Sequence, residues 1–375
     1  MKVITNGKFI LPQQVVEKHH LIFTEVIAAL EPDSTPVPEG AQLIDAQGCY
    51  VSAGFINIHI HGTNGSDTMD GTADALATMS AALTKTGVTS FLPTTMTASW
   101  ESINRALANI KNCQHKYPGA KILGANVEGP FINQQYKGAQ KEEYIEQAAF
   151  TKIAPYQDLI KLLTLAPETL KEKSFISQCV KAGIIISLGH SAATYEEALG
   201  AIGAGASHIT HLFNAMSGLH HRKPGLVGAA LDSPATVELI CDNIHVHPML
   251  QRLVYQIKGP HKIILITDAM RAAGLGDGES ELGGQKVFVH SGKATLADGT
   301  IAGSVLTMNM AVHNFLTNTG ASLPEVINMV TLNPAKELGL SSSLGSLEPG
   351  KYADLTIFDE AFQIKQTFVN GVLCK

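Results

Sequence analysis

The chain has 375 residues, 45% hydrophobic and 16% charged, a composition that supports a large globular core and excludes a disordered chain. Its 27 Lys and Arg against 33 Asp and Glu leave a net charge of −6, which argues against nucleic acid or an anionic membrane surface as the main partner. Five scattered cysteines without a Cys-x-x-Cys pair read as free thiols, the first residues lack a signal-peptide pattern, and no apolar run reaches bilayer length, so a cytoplasmic protein is expected.

Residues 1 to about 52 read as short strands broken by turns. Asn6-Gly7 is a hairpin signal, and Glu31 to Gly40, with three prolines, is a surface loop. No chemistry is visible there. The character changes at Gly54-Phe55-Ile56-Asn57-Ile58-His59-Ile60-His61-Gly62. Strand side chains alternate, so Ile56, Ile58 and Ile60 share one face, and Asn57, His59 and His61 share the other. Two imidazoles two residues apart can grip one metal ion together. The same pair is also what a polar strand terminus beside a glycine turn looks like.

Apolar runs then recur over Phe55 to His61, Val88 to Pro93, Ile122 to Glu128, Leu159 to Ala166, Ile184 to His190, Ser207 to His211, Val237 to Asp242 and Ile263 to Asp268. Helical patterns lie between many of them, over Thr72 to Thr86, Ser99 to His115, Thr169 to Ala182 and Thr194 to Ile202. Strands alternating with helices imply parallel pairing and right-handed crossovers. Eight such units predict an α/β fold, a (β/α)8 TIM-like barrel. A doubly wound open sheet would be favoured by Gly-x-Gly-x-x-Gly after the first strand, which is absent. Asn133 to Glu143, Met216 to Leu231 and Gly274 to Gly303 read as long loops over the catalytic face. The segment from Leu344 to Asp359 returns to short strands. The expected division is a small β domain from residues 1–52 and 344–375, and a metal-dependent catalytic barrel over 53–343.

Several strands end in a metal-capable or acidic residue: His59 and His61 on the first, Glu128 on the third, His190 on the fifth, His211 on the sixth and Asp268 on the eighth. Each alone has a plain structural role open to it, as a turn cap or an Asx turn. Together they fall on one face of a barrel, where C-terminal strand ends converge. Buried imidazoles and carboxylates are costly unless paired or metal-bound, so the set points to a metal site.

These motifs resemble the amidohydrolase superfamily and, within it, the N-acetylglucosamine-6-phosphate deacetylases. The resemblance rests on Gly54 to Gly62, Val127-Glu128-Gly129-Pro130-Phe131, Leu188-Gly189-His190-Ser191, Thr210-His211-Leu212-Phe213-Asn214-Ala215-Met216, Arg222-Lys223-Pro224-Gly225, Asp242-Asn243-Ile244-His245-Val246, Thr267-Asp268-Ala269-Met270 and the tail around Glu348-Pro349-Gly350-Lys351. It implies that Glu128, His190 and His211 hold one divalent metal ion, that His59 and His61 hold a second with Glu128 bridging, and that Asp268 is the general acid/base. Zinc, iron, cobalt, nickel and manganese all suit such ligands.

The resemblance further implies that Asn214, Ala215, Arg222 and His245 serve a sugar phosphate and that Ala139 and Gln140 line the substrate site. Arg222, in the basic stretch His220-His221-Arg222-Lys223, would reach a neighbouring subunit's site, making a homodimer the expected unit; as a plain sequence feature the stretch is also a solvated basic loop. Relatives with Gln-x-Asn in place of His-x-His use one metal and carry a carbonyl-polarising His where this chain has Gln140. A second metal would replace that group here. Asn57 also departs from the Asp of many amidohydrolases, and no bridging Lys is apparent.

The implied function is hydrolysis of N-acetyl-D-glucosamine 6-phosphate to D-glucosamine 6-phosphate and acetate in amino-sugar catabolism. The alternatives are the galacto epimer, a cyclic-amide hydrolase such as a dihydroorotase, and a non-catalytic sugar-phosphate-binding barrel.

Overall fold

The computed structural model describes residues 1–114, 116–172 and 174–375. The eight apolar runs form eight parallel strands: Phe55–Ile60, Val88–Thr95, Ala125–Glu128, Ile160–Leu165, Ile185–Leu188, His208–Ile209, Thr236–Ile240 and Ile263–Ile266. Nearly every residue in them is buried, which is why they lack a polar-apolar alternation. Neighbours pair in sequence order. The ring closes where the Asp268 N–H donates to the His59 carbonyl at 3.0 Å and Ile60 bridges Ala269 in parallel. The expected TIM-like barrel is present, and closure itself draws Asp268 to the end of the first strand.

The helices obey local rules. Thr72 caps Ala73–Thr84, Ser99 caps Trp100–Cys113, and Thr194 with Glu197 forms a capping box on Tyr195–Gly203. The helix expected over Thr169 to Ala182 is shorter, Phe175–Lys181, preceded by a 3-10 turn at Pro167–Thr169. His115 and Lys173, within expected helices, lie outside the described residues.

Four local expectations are corrected. Asn6-Gly7 closes no hairpin. Lys2–Thr5 pairs with His19–Phe23 and Gln42–Asp45, whereas Lys8–Ile10 pairs with Val15–Val16 and Tyr50–Ala53, so the dipeptide switches the chain between two sheets. The third run is split at Gly124 into Lys121–Ile122 and Ala125–Glu128. Met216 to Leu231 contains a helix, Gly225–Asp232. Its Gly228 answers a packing need, since a Cβ there would lie 2.3 Å from the Pro224 side chain. Gly274 to Gly303 contains a three-stranded antiparallel sheet, Gly278–Leu282, Gln285–His290 and Lys293–Thr295. Gly283 and Gly284 both have positive φ, 57° and 75°, as a tight two-residue hairpin turn requires.

Two sheets flank the barrel. One has four strands, all from the first 45 residues; the other has six and joins Lys8–Ile10, Val15–Val16 and Tyr50–Ala53 to Leu355–Phe358, Ile364–Val369 and Val372–Leu373. N- and C-terminal segments thus build the peripheral β structure together, as expected. Ile4, Phe9, Phe23, Val51, Leu355 and Phe368 fill a core between the sheets. No helix among the described residues is long and apolar enough to cross a membrane.

Phe358 fastens the six-stranded sheet to the barrel. Its ring packs 6.0 Å from Phe55 at the start of the first barrel strand, 5.6 Å from Tyr50 and 5.4 Å from Phe362. Phe358→Ala is expected to lower stability by about 3–5 kcal/mol through lost burial and a cavity. Urea unfolding of the two proteins, followed by tryptophan fluorescence, measures this as a shifted midpoint.

Candidate metal centre and cleft

Strand alternation sends His59 and His61 to the same side, and the four other charged or imidazole residues follow from where their strands end. Glu128 ends the third strand, His190 and His211 follow the fifth and sixth, and Asp268 follows the eighth. The donor atoms form two groups, His59/His61/Asp268 and Glu128/His190/His211, each contained within 4.8 Å. Glu128 lies between them. Its Oε1 is 3.4 Å from His59 Nε2, 3.2 Å from His190 Nε2 and 3.1 Å from His211 Nε2, while its Oε2 is 3.3 Å from His61 Nε2. Asp268 Oδ1 is 3.2 Å from His61 Nε2 and 3.5 Å from His59 Nε2.

Other contacts aim the rings. His59 Nδ1 donates to Glu238 Oε2 at 2.9 Å, and His190 Nδ1 donates to the Tyr136 carbonyl at 2.8 Å. Both bonds leave Nε2 facing inward, the arrangement of a histidine metal ligand. His59 Nε2 is buried without a hydrogen-bond partner. His190 and His211 bring their Nε2 atoms within 3.1 Å, where two lone pairs would repel without a proton or cation between them. The chemistry of the set, imidazole nitrogen with carboxylate oxygen, suits a divalent transition ion. These observations fit one or two divalent ions per subunit.

The electrostatics agree. Burial disfavours the Glu128 carboxylate, but His190, His211 and His59 outweigh it and hold its pKa well below the usual carboxylate range. Burial likewise opposes charge on His61, yet Asp268 and Glu128 overcome it and push the imidazole up to about 10. Asp268 is held below its ordinary value because His59 and His61 outweigh its desolvation. The site concentrates negative potential that attracts protons in the absence of a metal cation.

Three of these residues adopt left-handed backbone: His190 at φ 47°, His211 at 29° and Asp268 at 47°. Non-glycine residues rarely do so, and these three lie just past the strand ends that form the site.

The clusters floor a cleft of about 400 Å³. His61, Glu128, His190, His211 and Asp268 line it with Ala139, Gln140, Asn214, Ala215 and His245, and Leu282 and Ile301 from the hairpin segment cover it. Gln140 donates to Glu128 Oε2 at 2.6 Å and accepts the Thr97 N–H at 2.5 Å, so it grips the central carboxylate. The Ala139 carbonyl accepts from Gln285 of the hairpin sheet at 2.6 Å. The Asn214 amide donates to the His211 and Leu212 carbonyls. His245 donates to Asp242 at 2.6 Å; burial lowers its pKa, and Asp242 more than reverses this, raising it. Arg222 is exposed, bonded to His221 at 2.6 Å, and lies outside the cleft lining. Asn57 donates to Thr267 at 2.8 Å, tying the first strand to the last beneath the clusters.

Sequence reasoning missed Glu238, His208 and the hairpin cover. The signal for Glu238 is a lone charge in the apolar run Val237-Glu238-Leu239-Ile240, fully buried here.

With this geometry in view, likeness to known proteins is specific. The model of the amidohydrolase family matches residues 50–374. The chain is 39% identical to an N-acetylgalactosamine-6-phosphate deacetylase of Escherichia coli O157:H7, over 96% of this chain and 95% of that one. It is 42% identical to an N-acetylglucosamine-6-phosphate deacetylase of Bacillus subtilis (strain 168), over 85% and 83% of the two chains. The crystal structure of the N-acetylglucosamine-6-phosphate deacetylase of Pasteurella multocida superimposes with a TM-score of 0.95 at 36% identity, covering 99% of both. Fold, converging donor set and sequence therefore agree that the chain belongs to the amidohydrolase family.

Proposed function

We propose that this chain hydrolyses the acetamide of N-acetyl-D-glucosamine 6-phosphate, giving D-glucosamine 6-phosphate and acetate. The observation that carries the reading is the pair of imidazole-carboxylate clusters, His59/His61/Asp268 and Glu128/His190/His211, that meet across Glu128 at the floor of a cleft. A divalent ion held there supplies Lewis acidity, which makes water nucleophilic near neutral pH and draws charge from an amide oxygen. Asp268, ionised because His59 and His61 stabilise its charge, takes the proton that the attacking water loses. As the C–N bond breaks, the same carboxyl returns that proton to the leaving nitrogen. His59, His61, Glu128, His190 and His211 are the ligands in this reading. Gln140 keeps Glu128 in place, and the Leu282 and Ile301 side chains limit water at the reacting carbon.

His245, Ala215 and Asn214 line the cleft where a phosphate would be read, and Asp242 beside His245 favours its cationic form. Arg222 would complete that subsite from a neighbouring subunit, because it is exposed and outside its own cleft; this makes a homodimer the working unit. Free cysteines without a Cys-x-x-Cys pair support a cytoplasmic location in this reading. The reading divides the chain into residues 1–52 with 344–375 as the small β domain and 53–343 as the catalytic barrel. The galacto epimer is a second reading, favoured by the 39% identity to the deacetylase of that sugar across nearly the full chain. Acetate release from both sugar phosphates decides between them; no release from either sinks both readings.

Three outcomes are expected. Prepared without chelator, the protein carries one or two divalent ions per subunit by elemental analysis, and replacing both His59 and His61 by Ala removes a second equivalent while the Glu128/His190/His211 ion stays. Asp268→Asn keeps its metal and loses about 10²–10⁴ in kcat, the size of a missing acid/base group; near-normal turnover would rule out the role. The third outcome follows from the raised pKa of His245. Its cationic form persists above the ordinary histidine range and is lost as pH rises through the raised value. The preference for the phosphorylated over the free sugar, measured as a ratio of kcat/KM, should therefore fall on the alkaline side, and His245→Gln should flatten that fall.

A further inference from the structure

Glu238 lies at the middle of the seventh barrel strand, fully buried and outside the cleft lining. Its contacts reach both clusters. Oε2 accepts His59 Nδ1–H at 2.9 Å and also the backbone N–H of His211 at 3.0 Å. His59 belongs to one cluster and His211 to the other. One carboxylate oxygen thus orients the ring of a donor in the first group and fixes the strained backbone of a donor in the second. Its other oxygen, Oε1, accepts from His208 Nε2 at 3.2 Å.

The contacts continue to the far end of the barrel. His208 Nδ1 donates to Glu337 Oε1 at 2.9 Å, and Glu337 Oε2 accepts from the Thr236 hydroxyl at 2.9 Å. Both His208 nitrogens face carboxylates, so the ring is doubly protonated. Burial opposes this, and Glu238 and Glu337 together push the imidazole up to about 9. The buried Glu238 charge is thereby compensated from below by a cation that Glu337 anchors. A buried carboxylate left without such a partner would be costly or would neutralise. The core gains nothing apolar from these three residues, and each is spaced to serve the next.

We infer that Glu238 is a positioning residue shared by both metal clusters, and that the His208–Glu337 pair beneath it holds its carboxylate in the orientation that serves them. The inference rests on the metal-binding reading of the clusters. It assigns to one side chain the energetic link between sites that share only Glu128 on the cleft side.

The test uses full-length protein loaded with Co2+. Affinity is measured by chelator competition, ligand geometry by the visible absorption of the bound ion, and folding by thermal unfolding of the metal-free protein. Glu238→Gln keeps the shape but removes the charge and offers an amide hydrogen where an acceptor is needed. It is expected to weaken every equivalent that the wild-type chain binds, by about 10–100-fold, and to shift the absorption bands. Glu337→Gln, whose side chain is 15% exposed and touches no ligand, should weaken the same equivalents in the same direction by a smaller factor. Unchanged affinity and spectrum in Glu238→Gln overturn the proposal, as does a loss confined to one of two equivalents. Where Glu238→Gln does not fold, Glu337→Gln decides: weaker binding with the metal-free melting temperature retained supports the assignment, and wild-type affinity overturns it. A wild-type chain that binds no Co2+ sinks the metal reading instead, so the two failures are distinct.

Discussion

A carboxylate that is almost wholly buried must have its charge met on every side, and Glu128 sets that condition for the site. Four imidazoles surround it at 3.1–3.4 Å, from three different strand ends. Only a closed ring of parallel strands brings those ends to one place. The requirement propagates outward: Gln140 holds one oxygen of Glu128, Tyr136 and Glu238 aim two of the rings, and Asn57 ties the first strand to the last. Concentrated negative potential is costly in a low-dielectric interior unless a cation shares it. The arrangement therefore makes sense as a receptacle for positive charge, and the amide-hydrolysing chemistry of the family follows from what that charge does to water and to a carbonyl.

Much of the barrel was legible because its strands are buried on both faces and so appear as continuous apolar runs bounded by turns. The metal-capable or acidic residues that end five of the runs stand out for the same reason: they break a pattern the core otherwise enforces. What was not legible depends on tertiary context. Gly225 and Gly228 look like loop residues, yet Gly228 is small because Pro224 packs against it inside a helix. Asn6-Gly7 has the chemistry of a hairpin turn and is used where the chain leaves one sheet for another. The Gly283-Gly284 hairpin is readable in principle, from alternating residues on either side of a two-residue turn, but a long polar segment after a barrel strand has the composition of a loop as well. The helical stretch between Met308 and Glu337 is broken by Gly320, Pro324 and Pro334, which hide its periodicity in the sequence.

The candidate site divides in the same way. Donor residues could be listed from strand ends, but the left-handed backbone at His190, His211 and Asp268 could not, since none of those residue types requires it. Nor does sequence reveal that Gln140 faces Glu128 as well as the cleft. Residue type limits what a position can do; which of its options is used depends on neighbours that arrive from distant parts of the chain.

The six-stranded peripheral sheet pairs Tyr50–Ala53 directly with Leu355–Phe358. Everything between them must be synthesised before the later strand exists. At about 5–20 residues per second, the earlier strand waits on the order of tens of seconds with one hydrogen-bonding edge open. An unpaired edge of that kind is a template for other chains. The exposed stage for this sheet is thus synthesis on the ribosome, when half of it is complete and the other half is still message.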